Sequence, residues 1–198
     1  EISACLVGSE MCIRDRDDIV KQAMAKWPHV PACSGWLGLD ERGRWYLRDE
    51  EAQACGAFDS GIPGAKGAEV RNEKLADFIA RNYLAEPDGR WFFQNGPQRV
   101  YVELESTPWI WRLRWDGERL QMHSHTGAEL QAAAIKEVLM DETGRLYLAM
   151  PSGLGLVHTQ DMVDAAAALD VGMLPACEEV PAQTLPQRYG FVRSPARA

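Results

Sequence analysis

The residues that could do chemistry in this 198-residue chain fall into a few small groups. His123 and His125 form H-x-H, and on a strand both imidazoles would point the same way. Such a pair could start a metal site, but a tetrahedral site needs further ligands. His29, Cys33 and His158 offer no diagnostic spacing to supply them, so no metal is expected. A thiol nucleophile could be assembled from Cys33 with His29 or His158, yet no activating pattern surrounds the cysteine. Ser152 in "PSGLG" is not the G-x-S-x-G elbow of a hydrolase and reads as a turn residue. Glu103, Glu105 and Asp116 are plentiful acids, but an acid pair for glycoside chemistry needs a cleft, and ion pairing accounts for the two glutamates. "SGIPGAKG" (Ser60–Gly67) has the glycines of a phosphate loop without its Gly-Lys-Ser/Thr ending, and it reads as a flexible surface loop.

"QNGPQR" (Gln94–Arg99) is a better candidate. It joins two predicted strands and is rich in hydrogen-bonding groups, and polar loops on rigid sheets often bind ligands. Asn95, Gln98 and Arg99 are the candidate ligand-binding residues. The competing reading is a structural turn whose geometry is set by Asn95-Gly96.

Composition narrows the partners. A formal net charge of −8 would repel duplex nucleic acid and an anionic membrane, so neither is an expected partner. No apolar run approaches the roughly 18 residues of a membrane span. The five cysteines form no C-x-x-C pair. They read as free thiols in a reducing, cytoplasmic setting, with a Cys33–Cys177 bridge as the alternative because both lie in a Pro-Ala-Cys context. Residues 1–16, "EISACLVGSEMCIRDR", resemble translated library-adapter DNA, and they are read as a non-native extension outside the fold.

These candidates must be held by particular elements. A helix is predicted from Asp17 to about Lys26, with Ile19, Val20, Ala23, Met24 and Trp27 as its apolar stripe. Trp36–Leu39 and Arg44–Arg48 flank "DERG" as a hairpin, and Gln53–Gly67 is irregular. Asn72 caps a helix whose apolar stripe is Leu75, Phe78, Ile79 and Tyr83. Strands follow at Arg90–Gln94, Arg99–Glu105, Ile110–Trp115 and Arg119–His123. Val138–Met150 is another hairpin, whose "DETGRLYL" echoes "DERGRWYL". A short strand and a helix capped by Thr159 come next. The whole reads as an α+β fold of antiparallel sheets built from hairpins with packed helices, in two related sheet-and-helix units. One globular domain is expected over 17–171, with sub-units 17–84 and 85–171. A proline-rich wrap follows over 172–198, with an edge strand at Arg188–Val192.

Four of the seven tryptophans lie between Trp91 and Trp115. Strand alternation puts Trp109, Trp111, Leu113 and Trp115 on one face, too apolar to stay wet, so they are expected in a core covered by the Leu75/Phe78/Ile79/Tyr83 stripe. Pairing the second and third strands antiparallel sets Glu103 opposite Arg112 and Leu104 opposite Trp111.

The segments "KWPHVPACSGWLGLDERGRWYLRD", "FIARNYLAEPDGRWFFQNGPQRVYVELESTPWIWRL" and "GRLYLAMPSGLGLVHTQDM" resemble a family of proteobacterial proteins catalogued only as a domain of unknown function. The likeness runs through nearly everything after residue 17. The order of helix, D-G-x-aromatic, proline loop, strand and Pro-aromatic is similar to a second uncharacterised α+β family with a suggested signalling role. Neither resemblance implies an activity, a cofactor or catalytic residues. The reading is a non-catalytic cytoplasmic module that binds a small molecule or a protein, with a hydrolase-like enzyme or a structural interaction domain as alternatives.

Overall fold

The computed structural model describes residues 18–197. The expected non-native extension therefore lies outside the described residues. In chain order the elements begin α1 (Asp18–Lys26), β1 (Cys33–Leu39), β2 (Trp45–Leu47), α2 (Glu50–Cys55), β3 (Ala68–Glu69), α3 (Glu73–Arg81) and β4 (Tyr83–Ala85). They continue with β5 (Trp91–Asn95), β6 (Gln98–Leu104), β7 (Trp109–Trp115), β8 (Leu120–Ser124), β9 (Glu129–Leu130) and β10 (Glu137–Met140). The last are β11 (Leu146–Met150), β12 (Gly153–Val157), α4 (Met162–Asp170), β13 (Cys177–Glu179) and α5 (Leu185–Tyr189). The fold is α+β, with two mainly antiparallel sheets.

The chain forms two compact units. The first comprises 18–38, 45–103 and 194–197; the second comprises Leu39–Arg44 and Leu104–Arg193. The division falls inside the β1–β2 hairpin and after Glu103, not near residue 84, because β4, β5 and β6 join the same sheet as β1.

The first unit is built on a six-stranded sheet, ordered β3-β2-β1-β6-β5-β4. Asn72 Oδ1 accepts the Leu75 N–H at 3.1 Å, which starts α3 as its sequence predicts. α3 packs Phe78 edge-on against Phe93 of β5, with ring centroids 5.4 Å apart. Tyr83 continues this aromatic core to Trp91 and Trp45, at 4.8 and 5.1 Å.

Other details of the first unit correct the sequence reading. Asp49 caps α2, whose last three residues, Gln53 to Cys55, enter the stretch expected to be irregular. The buried Arg48 guanidinium donates to the carbonyls of Ala65, Gly35, Ala52 and Gly56. These bonds anchor the end of the loop expected to be flexible. Of the α1 stripe only Val20 is buried, while Ile19 and Trp27 are exposed.

The second unit holds a seven-stranded sheet, ordered β13-β10-β11-β12-β7-β8-β9. Two of its pairs, β12 with β7 and β10 with β13, are parallel, within a sheet that is otherwise antiparallel as expected. The larger correction concerns β6 and β7. They belong to different sheets, so the predicted register between them does not exist. Glu103 is bonded to the Ser194 hydroxyl and to the Ala196 N–H, the latter at 3.0 Å. Arg112 pairs with Asp161 instead. The tryptophans of β7 do face an apolar core, but α4 covers them, through Ala165 and Ala168. The tail carries a strand at Cys177–Glu179 and a helix at Leu185–Tyr189; of the edge strand expected over Arg188–Val192, the first two residues end that helix and the rest form no strand.

The two "D-E-x-G-R" turns fold alike. Asp40 Oδ1 accepts the N–H groups of Arg42 and Arg44 at 2.9 and 2.8 Å. Asp141 Oδ1 accepts those of Thr143 and Arg145 at 2.8 and 3.0 Å. Gly43 and Gly144 sit at φ +78° and +79°, the left-handed geometry that such turns need.

Candidate functional site

The first unit contains a mainly apolar cleft of about 570 Å³. Its wall on one side is α3, through Leu75, Phe78 and Ile79. Opposite stand Leu47 of β2, Trp36 and Leu37 of β1, and Phe93 and Val100 of β5 and β6. The strands put these side chains together for simple reasons. Phe93 faces Val100 in the β5–β6 register, and cross-strand partners share a face. α3 spans only nine residues, and it leaves Trp36, Leu47 and Leu75 exposed by 43, 49 and 37 %. Large apolar side chains left wet around one opening mark a binding surface more than a folding defect.

One end of the cleft is polar. Cys33, Asn95 and Gln98 line it, and none of the lining residues is charged. Gln98 Nε2 donates to the Pro31 carbonyl at 3.2 Å, leaving its oxygen to accept. The Asn95 carboxamide is exposed and makes no hydrogen bond among the described residues. Burial pushes the Cys33 thiol pKa up, so this sulfur is a weak polar contact and not an activated nucleophile.

The structure separates the predicted trio. Asn95 and Gln98 are register partners at the end of the β5–β6 hairpin and both line the cleft. Arg99 follows Gln98 in the strand and so points to the opposite face. There it lines a second cavity, of about 400 Å³, with Trp27, Met24 and Gln94. Its guanidinium is engaged with Glu86 at 2.7 Å and lies over the Phe92 ring. The turn itself is centred on Gly96 and Pro97, since Asn95 pairs with Gln98. Gly96 takes φ +57° at the first central position, where a two-residue hairpin turn calls for glycine.

The other candidates do not assemble. His123 is exposed on β8, whereas His125 lies beyond the strand and its Nδ1 accepts the Ile110 N–H at 3.3 Å. No group of three or more His, Cys, Asp or Glu among the described residues is placed to hold a metal. Cys33, Cys55 and Cys177 are free, so the Cys33–Cys177 bridge is not formed. Ser152 contributes its carbonyl to the Trp109 indole N–H at 2.8 Å. Of the exposed rim residues, the sequence assigns a packing role to Leu75 alone, in the covering stripe of α3, and places Trp36 and Leu47 only in a hairpin. The signal that could have singled them out is the shortness of α3 against the width of the sheet.

Comparison with known proteins agrees with an unassigned activity. A family model, DUF2944, described as "Protein of unknown function (DUF2946)", matches residues 16–196. No curated protein matches the chain. Two crystal structures of DUF1285 family proteins are similar in part. One, from Silicibacter pomeroyi DSS-3, has 11 % identity and a TM-score of 0.45 over 69 % of this chain and 71 % of its own. The other, from Shewanella baltica OS155, has 13 % identity and a TM-score of 0.42 over 70 % of this chain and 96 % of its own. No helix among the described residues is long and apolar enough to cross a membrane.

Proposed function

The chain belongs to the DUF2944 family of proteins of unknown function, and from the cleft in its first unit we propose that it is a non-catalytic binding module for a small, neutral, largely apolar molecule with one hydrogen-bonding end. The observation that carries this reading is the ring of exposed Trp36, Leu47 and Leu75 around an uncharged cleft with Asn95 and Gln98 at one end. A volume of about 570 Å³ falls in the range of small-molecule pockets, roughly 300–1,000 Å³. Apolar lining supplies affinity, and a few polar groups set orientation. The net charge of −8 argues against nucleic acid as partner, and the free Cys33, Cys55 and Cys177 favour a reducing, cytoplasmic setting.

The test uses the neutral apolar fluorophore N-phenyl-1-naphthylamine, titrated into the full chain. Saturable binding should appear, and Leu47→Glu should weaken it at least about tenfold, some 1.4 kcal/mol. Because Leu47 is half exposed, the variant should keep its melting temperature. An absence of saturable binding, or equal binding by Leu47→Glu, would remove the proposal.

A further inference from the structure

A separate set of residues in the second unit has the makings of an anion site. His158, Thr159 and Gln160 follow β12, and Arg42 and Arg44 come from the Asp40–Arg44 turn; together they line a cavity of about 290 Å³. That is the low end of the ligand-pocket range and suits a group the size of phosphate.

The donors and acceptors around this cavity are unequally committed. His158 is only 6 % exposed, and its Nδ1 accepts the Gln160 N–H at 3.1 Å. An accepting Nδ1 assigns the neutral ring's proton to Nε2. That N–H has no hydrogen-bond partner among the described residues. Arg44 is paired with Asp40, at 2.8 Å through Nε and 2.7 Å through Nη2. The Arg42 guanidinium has no carboxylate partner among the described residues, although its backbone N–H is bound to Asp40. Neither the Thr159 hydroxyl nor the Gln160 carboxamide is hydrogen-bonded among the described residues.

Both neighbouring carboxylates are already occupied. Asp40 accepts two backbone N–H groups and Arg44, and Asp161 accepts Arg112 and the Leu113 N–H. What remains turned toward the cavity is a cationic guanidinium, an imidazole N–H, a hydroxyl and an amide. This is a donor-rich set with one uncompensated positive charge, and guanidinium forks match oxyanion geometry.

We propose that the second unit binds a phosphate-sized oxyanion, held by Arg42 and the His158 Nε2–H and bordered by Thr159, Gln160 and the Arg44 side chain. Burial, then the charges of Arg112 and Arg42, hold the His158 pKa below its ordinary value, against the opposing pull of Asp161 and Asp40. An anion beside the ring adds a pull in the same direction as those carboxylates. Binding therefore takes up a proton, which goes to Nδ1 and displaces the Gln160 N–H bond there, and tightens as pH falls.

The experiment follows the His158 ring resonances by NMR while sodium sulfate is added at constant ionic strength, with chloride as the matched control. Sulfate keeps its charge across the range, so any pH dependence belongs to the protein. Inorganic phosphate and acetate form parallel arms that separate a phosphate-like from a carboxylate preference. Sulfate should saturate the His158 shift, raise the pH at which the ring titrates, and bind more tightly at pH 6 than at pH 8. Arg42→Gln removes an exposed side chain with no partner, so it should fold normally and bind sulfate at least about tenfold more weakly. A His158 response equal to that with chloride, or equal affinity in Arg42→Gln, would overturn the proposal.

Discussion

The Asp161 carboxylate accepts Arg112 Nε at 2.6 Å, Arg112 Nη2 at 3.1 Å and the Leu113 N–H at 3.0 Å. Burial alone would raise its pKa, but the Arg112 pair and the backbone donor outweigh that and hold it below the ordinary value of 3.8. A depressed carboxylate stabilises the fold fully above its unfolded value and loses that contribution as pH falls through its folded value. Asp161→Asn should therefore cost about 2 kcal/mol at neutral pH, read from urea midpoints, with the difference from wild type shrinking in acid. A difference that is flat from neutral pH into strong acid would contradict this linkage. Residue-scale chemistry was only partly legible beforehand. Asn95 and Gln98 do reach a cleft, whereas Arg99 leaves it simply because strand neighbours alternate. That Arg112 meets Asp161, 49 positions away, is carried by no local pattern.

At the scale of elements, β7 and β12 lie in parallel register, with Gly155 opposite Trp109 and Val157 opposite Trp111. A Cβ on Gly155 would overlap the Trp111 indole, whose N–H donates to the Leu148 carbonyl at 2.9 Å. Gly155→Ala should destabilise by roughly 1–3 kcal/mol, as overpacking does, and broaden the near-ultraviolet tryptophan signal. A variant of wild-type stability would show that the indole has room to move. The requirement at Gly155 is space, not backbone freedom, since its φ is not positive. The helix α3 and its Asn72 cap were legible because a cap and an apolar stripe are local signals. Thr159 was misread as the cap of α4. A short 3-10 turn, Thr159–Asp161, intervenes, and it is His158 that accepts an N–H there. β13 was missed because its three residues are all exposed and show no alternation.

For the whole molecule, the tryptophans report where the cores are. Trp45, Trp91 and Trp111 are buried, while Trp27 and Trp36 are exposed. Acrylamide should quench only a minor part of the native emission. In the Trp27→Phe, Trp36→Phe double variant the quenching slope should drop steeply, and an unchanged slope would mean that the β-sheet indoles are wet. Composition and periodicity by themselves determined the α+β class, the hairpins with their Gly-containing turns, the capped α3 and an apolar inward face on the tryptophan-rich strands, in which Trp91 and Trp111 are buried and Trp109 and Trp115 partly so. All of these depend on interactions between residues close in sequence. Only the tertiary structure decided which strands are neighbours, that β6 and β7 part into separate sheets, and that α4 instead of α3 covers the tryptophans of β7. An apolar face states that it must be buried and says nothing of its partner, because the hydrophobic effect has no direction. The choice was made by the register and volume of segments far apart in the chain.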